Sequence, residues 1–416
     1  MRSFLISFPF HLLLTAVYAQ NVSTVPATGL SITLDQAFKL SLAKSETLAS
    51  SAEGIKQLAA FENQIRSYFL PALSLNTSET LNSGQSGKGQ SAINLSYSIF
   101  DGMRDYISAK SAGLKTESGK LSLARARQNL YQSVALAFLD LANIRQELSV
   151  RQEQLNVSEA RIKELRDREK IGRSRESEVL AAQAQLAQDD ADLQSARSRE
   201  SLAQFELRFL TGLNADLEPE QPRLPEKHRI EPYLAGAARR SDVEAARKAL
   251  EAARLDTDIA KKLVWPSLAL NADYYLTRPS PNQDSHWGSA LTLKIPLYTG
   301  GLSGASVDQA FAKQASAEYA LKLAIRQADT EVRQAYSTLM HSIAVLDSLK
   351  KALKLADENA KFQSRDYTMG LVTNLDVLNA QNTLLQTKLK LEMARAQTCL
   401  AGIQLEVAGG VNTEGK

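Results

Sequence analysis

From Val134 an apolar residue recurs every seven positions, at Leu141, Leu148, Leu155 and Ile162, and a second series runs from Val332 through Leu339, Leu346, Leu353 and Ala360. Seven-residue spacing holds one face of a helix against its neighbours, the packing of a coiled coil. Neither glycine nor proline interrupts 120–171 or 306–369. Each stretch therefore reads as one helix, and carrying it back to Met103 or Leu302 gives about 68 residues, roughly 100 Å at 1.5 Å per residue. Shorter helical patterns run over about Leu34–Arg66, Arg175–Leu210, Ser241–Leu263 and Asn374–Val407. Two of these stacked end to end match one long helix, so the pattern predicts an elongated bundle rather than a compact globule.

Between the helices the period changes to two. Leu73, Leu75 and Thr77 share one face; Ile93, Leu95, Tyr97 and Ile99 share another, opposite Asn94, Ser96 and Ser98. Later, Leu268, Leu270, Ala272 and Tyr274 oppose Asn271 and Asp273, and Leu291, Leu293, Ile295 and Leu297 oppose Thr292 and Lys294. The alternation predicts two hairpins, 67–79 with 90–101 and 265–277 with 288–299, with tips at Leu81–Gln90 and Thr277–Trp287. Strands of about ten residues with one polar face suit a half-buried soluble sheet or a membrane barrel with a wet lumen. Both tryptophans, Trp265 and Trp287, stand at hairpin boundaries, as an interfacial belt places them. Four strands cannot close a barrel, and an open edge in lipid leaves backbone groups unpaired. Strands that cross a membrane here must belong to a barrel shared by several chains.

The two halves are copies. Phe69-Leu70-Pro71-Ala72-Leu73 returns as Val264-Trp265-Pro266-Ser267-Leu268, and Gly172 with Glu178 returns as Gly370 with Asp376, offsets of 195 and 198 residues. The reading divides the chain into a first repeat at 20–212, a proline-rich linker at 213–232, a second repeat at 233–408 and a tail at 409–416. Residues 1–19, with Arg2 before an apolar run and small residues at Val17 and Ala19, read as a cleaved secretory signal.

Composition narrows the function. Lys and Arg number 49 against 46 acidic residues, a net charge of +3 that gives no footprint for nucleic acid. Cys399 is the single cysteine and the four histidines are scattered, so no metal site, cofactor site or catalytic constellation is expected.

Tyr367-Thr368-Met369-Gly370-Leu371-Val372-Thr373-Asn374-Leu375-Asp376-Val377-Leu378-Asn379-Ala380-Gln381, together with Ile295-Pro296-Leu297-Tyr298-Thr299-Gly300-Gly301 and Leu70-Pro71-Ala72-Leu73, resembles the TolC-type outer-membrane efflux channels of Gram-negative bacteria. The resemblance spans about Leu34–Gly409. It implies a mainly α protein with a small β part. Long coiled-coil helical hairpins and four membrane strands per chain would build a homotrimeric α-barrel under a 12-stranded β-barrel, embedded in outer-membrane lipid and extending into the periplasm. It further implies an exit channel without chemistry of its own, served by an inner-membrane pump and a periplasmic adaptor. Small-molecule or metal efflux is the favoured reading, with type I protein secretion as the alternative. An exported structural coiled coil without a channel is the rival from another class.

Carried over by position, the resemblance assigns a periplasmic gate to Glu178, Tyr367, Asp376 and Asn379, with a Tyr367 to Glu178 hydrogen bond as a tie. Adaptor docking falls on the turns Gly172, Arg173, Ser174 and Gly370, Leu371, Val372, Thr373. The barrel lumen falls on Asn94, Ser96, Ser98, Asn271, Asp273, Thr292 and Lys294. Two positions depart from the family pattern: Val372 replaces an arginine tie, and Asn379 replaces a second carboxylate. Glu178 and Asp376 also lie near helix starts, where a carboxylate favours the positive end of the dipole whatever the function. Cys399 reads as a packed small hydrophobe.

Overall fold

A computed structural model of the chain describes residues 29–82, 85–227, 229–278 and 285–410; the expected signal at 1–19 and nearly all of the tail lie outside them. In chain order the elements are β1 Leu30–Ile32, α1 Leu34–Lys44, α2 Glu46–Ser67, β2 Ala72–Asn82, β3 Gln85–Phe100, α3 Arg104–Lys170, α4 Glu176–Thr211, β4 Leu217–Pro219, α5 Glu231–Ala237, α6 Ser241–Lys261, β5 Ser267–Thr277, β6 Trp287–Lys294, α7 Leu302–Thr368 and α8 Asn374–Ala408.

The long helices α3 and α7 each have 67 residues and begin 198 positions apart, so the duplication is present in the fold as well as in the sequence. Their seven-residue seams face inward: Val134, Leu141 and Ile162 are buried on α3, and Val332, Leu339, Leu346 and Ala360 on α7. The two copies lie side by side. One layer runs α2, α3, α6, α7 and, further along the long helices, another runs α4, α3, α8, α7. The molecule therefore has two free edges, α2 with α4 on one side and α7 on the other.

Local sequence explains the breaks. Ser45 ends α1 and caps α2 by accepting from the Leu48 N–H at 3.3 Å, which splits the helical pattern expected to be continuous over Leu34–Arg66. The stretch expected as a plain linker at 213–232 holds β4, which pairs in parallel with β1. Gln204 fixes that strand by donating to the Leu217 carbonyl at 2.8 Å and accepting from its N–H at 3.1 Å.

An ionic joint clamps the end of α8 between the repeats. Arg240, 2% exposed, donates to both Asp242 carboxylate oxygens at 2.7 and 2.8 Å, to Glu331 at 2.6 Å and to the Ala408 carbonyl at 3.3 Å. Arg125 of α3 reaches Glu331 at 3.3 Å and the Val407 carbonyl at 3.1 Å. Among the described residues no helix is long and apolar enough to cross a membrane.

Candidate functional site

At one end of the long helices the four long strands form a single antiparallel sheet in the order β2, β3, β5, β6. The strand bounds differ from the sequence expectation. β2 starts at Ala72 and runs to Asn82, and β3 starts at Gln85, so the Gly- and Ser-rich segment expected as a loop at 81–90 is largely paired strand. Of the other expected tip, Thr277–Trp287, residues 279–284 fall outside the described residues.

The register decides which residues share a face. Asn94 stands opposite Asp273, Ser96 opposite Asn271, and Ser98 opposite Ala269, which in turn faces Thr292; Ser267 faces Lys294. On β2, Ser74 lies opposite Asn94 and Asn76 opposite Ala92. All seven residues expected on the polar side thus lie on one continuous face of small and polar side chains. The Asn94 amide donates to the Asp273 carboxylate at 2.7 Å across that face.

The opposite face carries Leu73, Leu75, Ile93, Leu95, Leu270, Tyr274, Trp287, Leu291 and Leu293, and most of these are exposed, Leu73 to 71% and Leu291 to 64%. Water does not favour such a surface, and both sheet edges are unpaired in the single chain. Trp265 precedes the base of β5, while Trp287 pairs with Tyr274 near its far end. Nine residues separate positions 265 and 274; at about 3.3 Å each, tilted about 40°, they span roughly 23 Å, close to the apolar band of an outer-membrane barrel.

The other end of the long helices is built from two homologous turns. Gly172 and Gly370 adopt φ of +70° and +76°, and behind them the Arg173 N–H returns to the Arg168 carbonyl and the Leu371 N–H to that of Asp366. These are glycine-terminated helix ends of Schellman type. No heavy atom lies within 4 Å of a Cβ built on either glycine, so the backbone conformation alone demands glycine there.

The turns diverge in what they do with their carboxylates. Thr373 caps α8 in a reciprocal box: the Asp376 carboxylate accepts from the Thr373 N–H at 2.8 Å and its hydroxyl at 2.6 Å, and these bonds hold the Asp376 carboxyl below its ordinary value. Asp376 and Asn379 both face outward on the first turns of α8. In the first repeat Arg175 occupies the capping position and makes no such bond. Glu178 is therefore free for other donors. It accepts from the Ser174 hydroxyl at 2.6 Å and from the Tyr367 hydroxyl at 3.3 Å, the contact expected from the sequence.

Arg161, Arg168, Glu164 and Asn374 complete this tip and were not anticipated. The Arg161 guanidinium lies 4.0 Å from the Tyr367 ring centroid and that of Arg168 4.8 Å. Arg161, 6% exposed, also donates from Nε and Nη2 to the Asn374 Oδ1 at 3.1 and 2.9 Å, and its charge is met by Glu164 at 2.7 Å. Val372, standing where the family pattern has an arginine, packs against the apolar cluster of Ile162, Leu165, Val179, Tyr367 and Val377. The cations that surround Tyr367 thus come from α3. Nothing in the sequence distinguishes Arg161 from the solvated arginines around it, except that it adjoins the seam residue Ile162.

An uncovered apolar strand face with open edges, set at one end of two 67-residue helices, is the arrangement of an outer-membrane channel chain. Residues 235–411 match the family described as outer membrane efflux protein. The chain is 26% identical to the outer membrane protein TolC of Salmonella enteritidis over 419 residues, covering 92% of this chain and 84% of that one. It is 23% identical to the outer membrane efflux protein BepC of Brucella suis, covering 96% of this chain and 90% of that one. The crystal structure of the outer membrane protein VceC of Vibrio cholerae superposes with a TM-score of 0.81 at 22% identity, over 91% of this chain and 96% of that one. The chain is thus similar along nearly its whole length to TolC-type outer-membrane efflux channels, and its second repeat matches the outer membrane efflux protein family. Its place is the outer membrane.

Proposed function

We propose that the chain forms a homotrimeric duct that releases substrates received from an inner-membrane pump through a periplasmic adaptor, with small molecules or metal ions as its cargo. The observation that carries the reading is the four-stranded sheet, whose polar face suits a lumen and whose apolar face and open edges suit lipid and neighbouring chains. Three copies give twelve strands, enough to close a barrel without edges. On this reading Asn94, Ser96, Ser98, Asn271, Asp273, Thr292 and Lys294 line the lumen.

The opposite tip is the periplasmic gate. Tyr367 and Glu178 tie α7 to α4, Asp376 and Asn379 add exposed polar groups on the first turns of α8, and Arg161 holds the start of α8. The turns at Gly172, Arg173, Ser174 and Gly370, Leu371, Val372, Thr373 are the most distal part of the chain and form the adaptor's docking surface. The efflux cargo is favoured by similarity to a relative named as an efflux protein across nearly its whole length.

The test is accumulation of a fluorescent dye in cells lacking the chain. Retention of dye, reversed by the intact chain, supports efflux. Unchanged dye levels with a protein missing from the culture medium would favour the secretion duct instead.

A further inference from the structure

The two turns at the helix tips are copies in backbone and opposites in surface chemistry. They align at an offset of 198 residues, 170–176 with 368–374. Both have a glycine of positive φ preceded by an exposed apolar residue, Ile171 in the first and Met369 in the second. Past the glycine they part. Arg173 stands where the second turn has Leu371, which is 71% exposed, and Arg175 stands where it has Thr373. Over the aligned spans the first turn carries Lys170, Arg173, Arg175 and Glu176, while the second carries no charged side chain.

The cations of the first turn differ in what answers them. Arg161 and Arg168 are met by Glu164, and Lys170 by Asp167. Arg173 and Arg175 are exposed, and among the described residues neither guanidinium has an ion pair or a hydrogen bond. Glu176 lies in the first turn of α4, where the helix dipole favours it. Between the two turns opens a groove of about 610 Å³, with Ile171, Met369 and Val372 as its apolar lining and Arg168 and Arg173 as its cationic lining. Glu178, the carboxylate among its lining residues, already accepts from the Ser174 and Tyr367 hydroxyls.

We propose that this end selects its partner by charge: Arg173 and Arg175 take carboxylates of a partner protein's docking tip, and Leu371 and Leu375 take apolar side chains beside them. The inference rests on the adaptor reading above and adds the partner's chemistry to it. Leu375 is 64% exposed, so the second turn offers an apolar surface and no charge to compete with the first. A guanidinium pairs with a carboxylate through two parallel bonds, which gives direction as well as attraction. A partner with a basic tip meets like charge at the first turn and is rejected there. An anionic bilayer is the other surface that cations at a helix tip attract. A flat bilayer meets both turns alike, however, and the second turn offers it no cation.

The test uses the purified full-length protein in detergent and two synthetic helical-hairpin peptides, identical except for glutamate-leucine-glutamate or lysine-leucine-lysine at the turn. Fluorescence anisotropy should show the acidic peptide binding roughly 3- to 30-fold more tightly, the worth of two exposed ion pairs. That preference should vanish near 1 M salt, where the Debye length is about 3 Å. Arg173→Glu with Arg175→Glu should reverse it, Arg173→Lys with Arg175→Lys should keep its sign, and Leu371→Ser should weaken both peptides alike. Equal binding of the two peptides, or binding of neither, overturns the charge rule. So does tighter binding to phosphatidylglycerol vesicles than to the acidic peptide, which assigns the cations to a membrane surface. Dye efflux in cells separates this from the docking reading itself. Efflux lost in the glutamate pair without any peptide preference leaves the docking surface standing and removes its charge rule, whereas efflux unaltered by both the glutamate pair and Leu371→Asp removes the docking surface.

Discussion

Replacing Arg161 with methionine keeps the length of the buried stem and removes the guanidinium fork. The Asn374 Oδ1, on a residue only 2% exposed, then loses both of its donors. A buried acceptor left without a partner costs about 1–3 kcal/mol, and the lost stacking on Tyr367 adds about 0.5–2 kcal/mol. Glu164 is partly exposed and keeps Arg168 at 3.1 Å, so its loss of Arg161 contributes little. The sum, about 1.5–5 kcal/mol per copy, corresponds to roughly 10- to 4000-fold in the equilibrium between the tied and released tip. Arg161→Lys should recover only part of it, since an ammonium is a point charge that cannot fork onto one oxygen while lying flat on a ring. Hydrogen exchange of 370–376 reports the local opening, and single-channel recording in planar bilayers reports its consequence, a higher conductance. Exchange and conductance in Arg161→Met equal to those of the unaltered protein would refute the role assigned to this arginine.

Tyr367→Phe removes only the 3.3 Å bond to Glu178 and should raise conductance less than Arg161→Met does in the same recordings. Gly172→Pro with Gly370→Pro, which replaces two positive φ angles with a residue fixed near −65°, should impair dye efflux while outer-membrane trimer levels on native gels stay unchanged. Arg240→Met removes a buried guanidinium whose partners Asp242 and Glu331 are partly exposed and keep Arg125, and should destabilise the protein by about 1–3 kcal/mol, read as a lower Tm in detergent. The Asp376 carboxyl is held below its ordinary value of 3.8, so its cap is present above that pH and lost as the pH falls beneath it; exchange at the start of α8 should be flat near neutrality and rise only in acid. Burial pushes the Cys399 thiol up to about 11, so alkylation at neutral pH should require unfolding.

The large features were legible because they are periodic. A seven-residue seam fixes which face of α3 and α7 is buried, two-residue alternation fixes the faces of the sheet, and the duplication lets each copy check the other. What escaped depended on groups brought together across elements. Arg161 on α3 meets Asn374 at the start of α8 only after the helices pack, and a buried arginine reads like its solvated neighbours Arg166 and Arg173. The segment 81–90 reads as a loop because glycine and serine favour turns, yet strand pairing overrides that local preference in β3. The different fates of Glu178 and Asp376 did leave a mark in the sequence. Thr373 lies three residues before Asp376, where a capping box needs it, while Arg175 stands at the matching position before Glu178.

The claim on which the rest depends is that the polar strand face lines an aqueous lumen. Lys294 stands on that face, and its charge acts directly on passing ions. Purified protein inserted in planar bilayers should give discrete conductance steps, and Lys294→Glu should shift the reversal potential in a salt gradient toward cation selectivity. Discrete steps with an unchanged reversal potential would place Lys294 outside the pore, and the absence of any steps from correctly folded protein would contradict the channel itself.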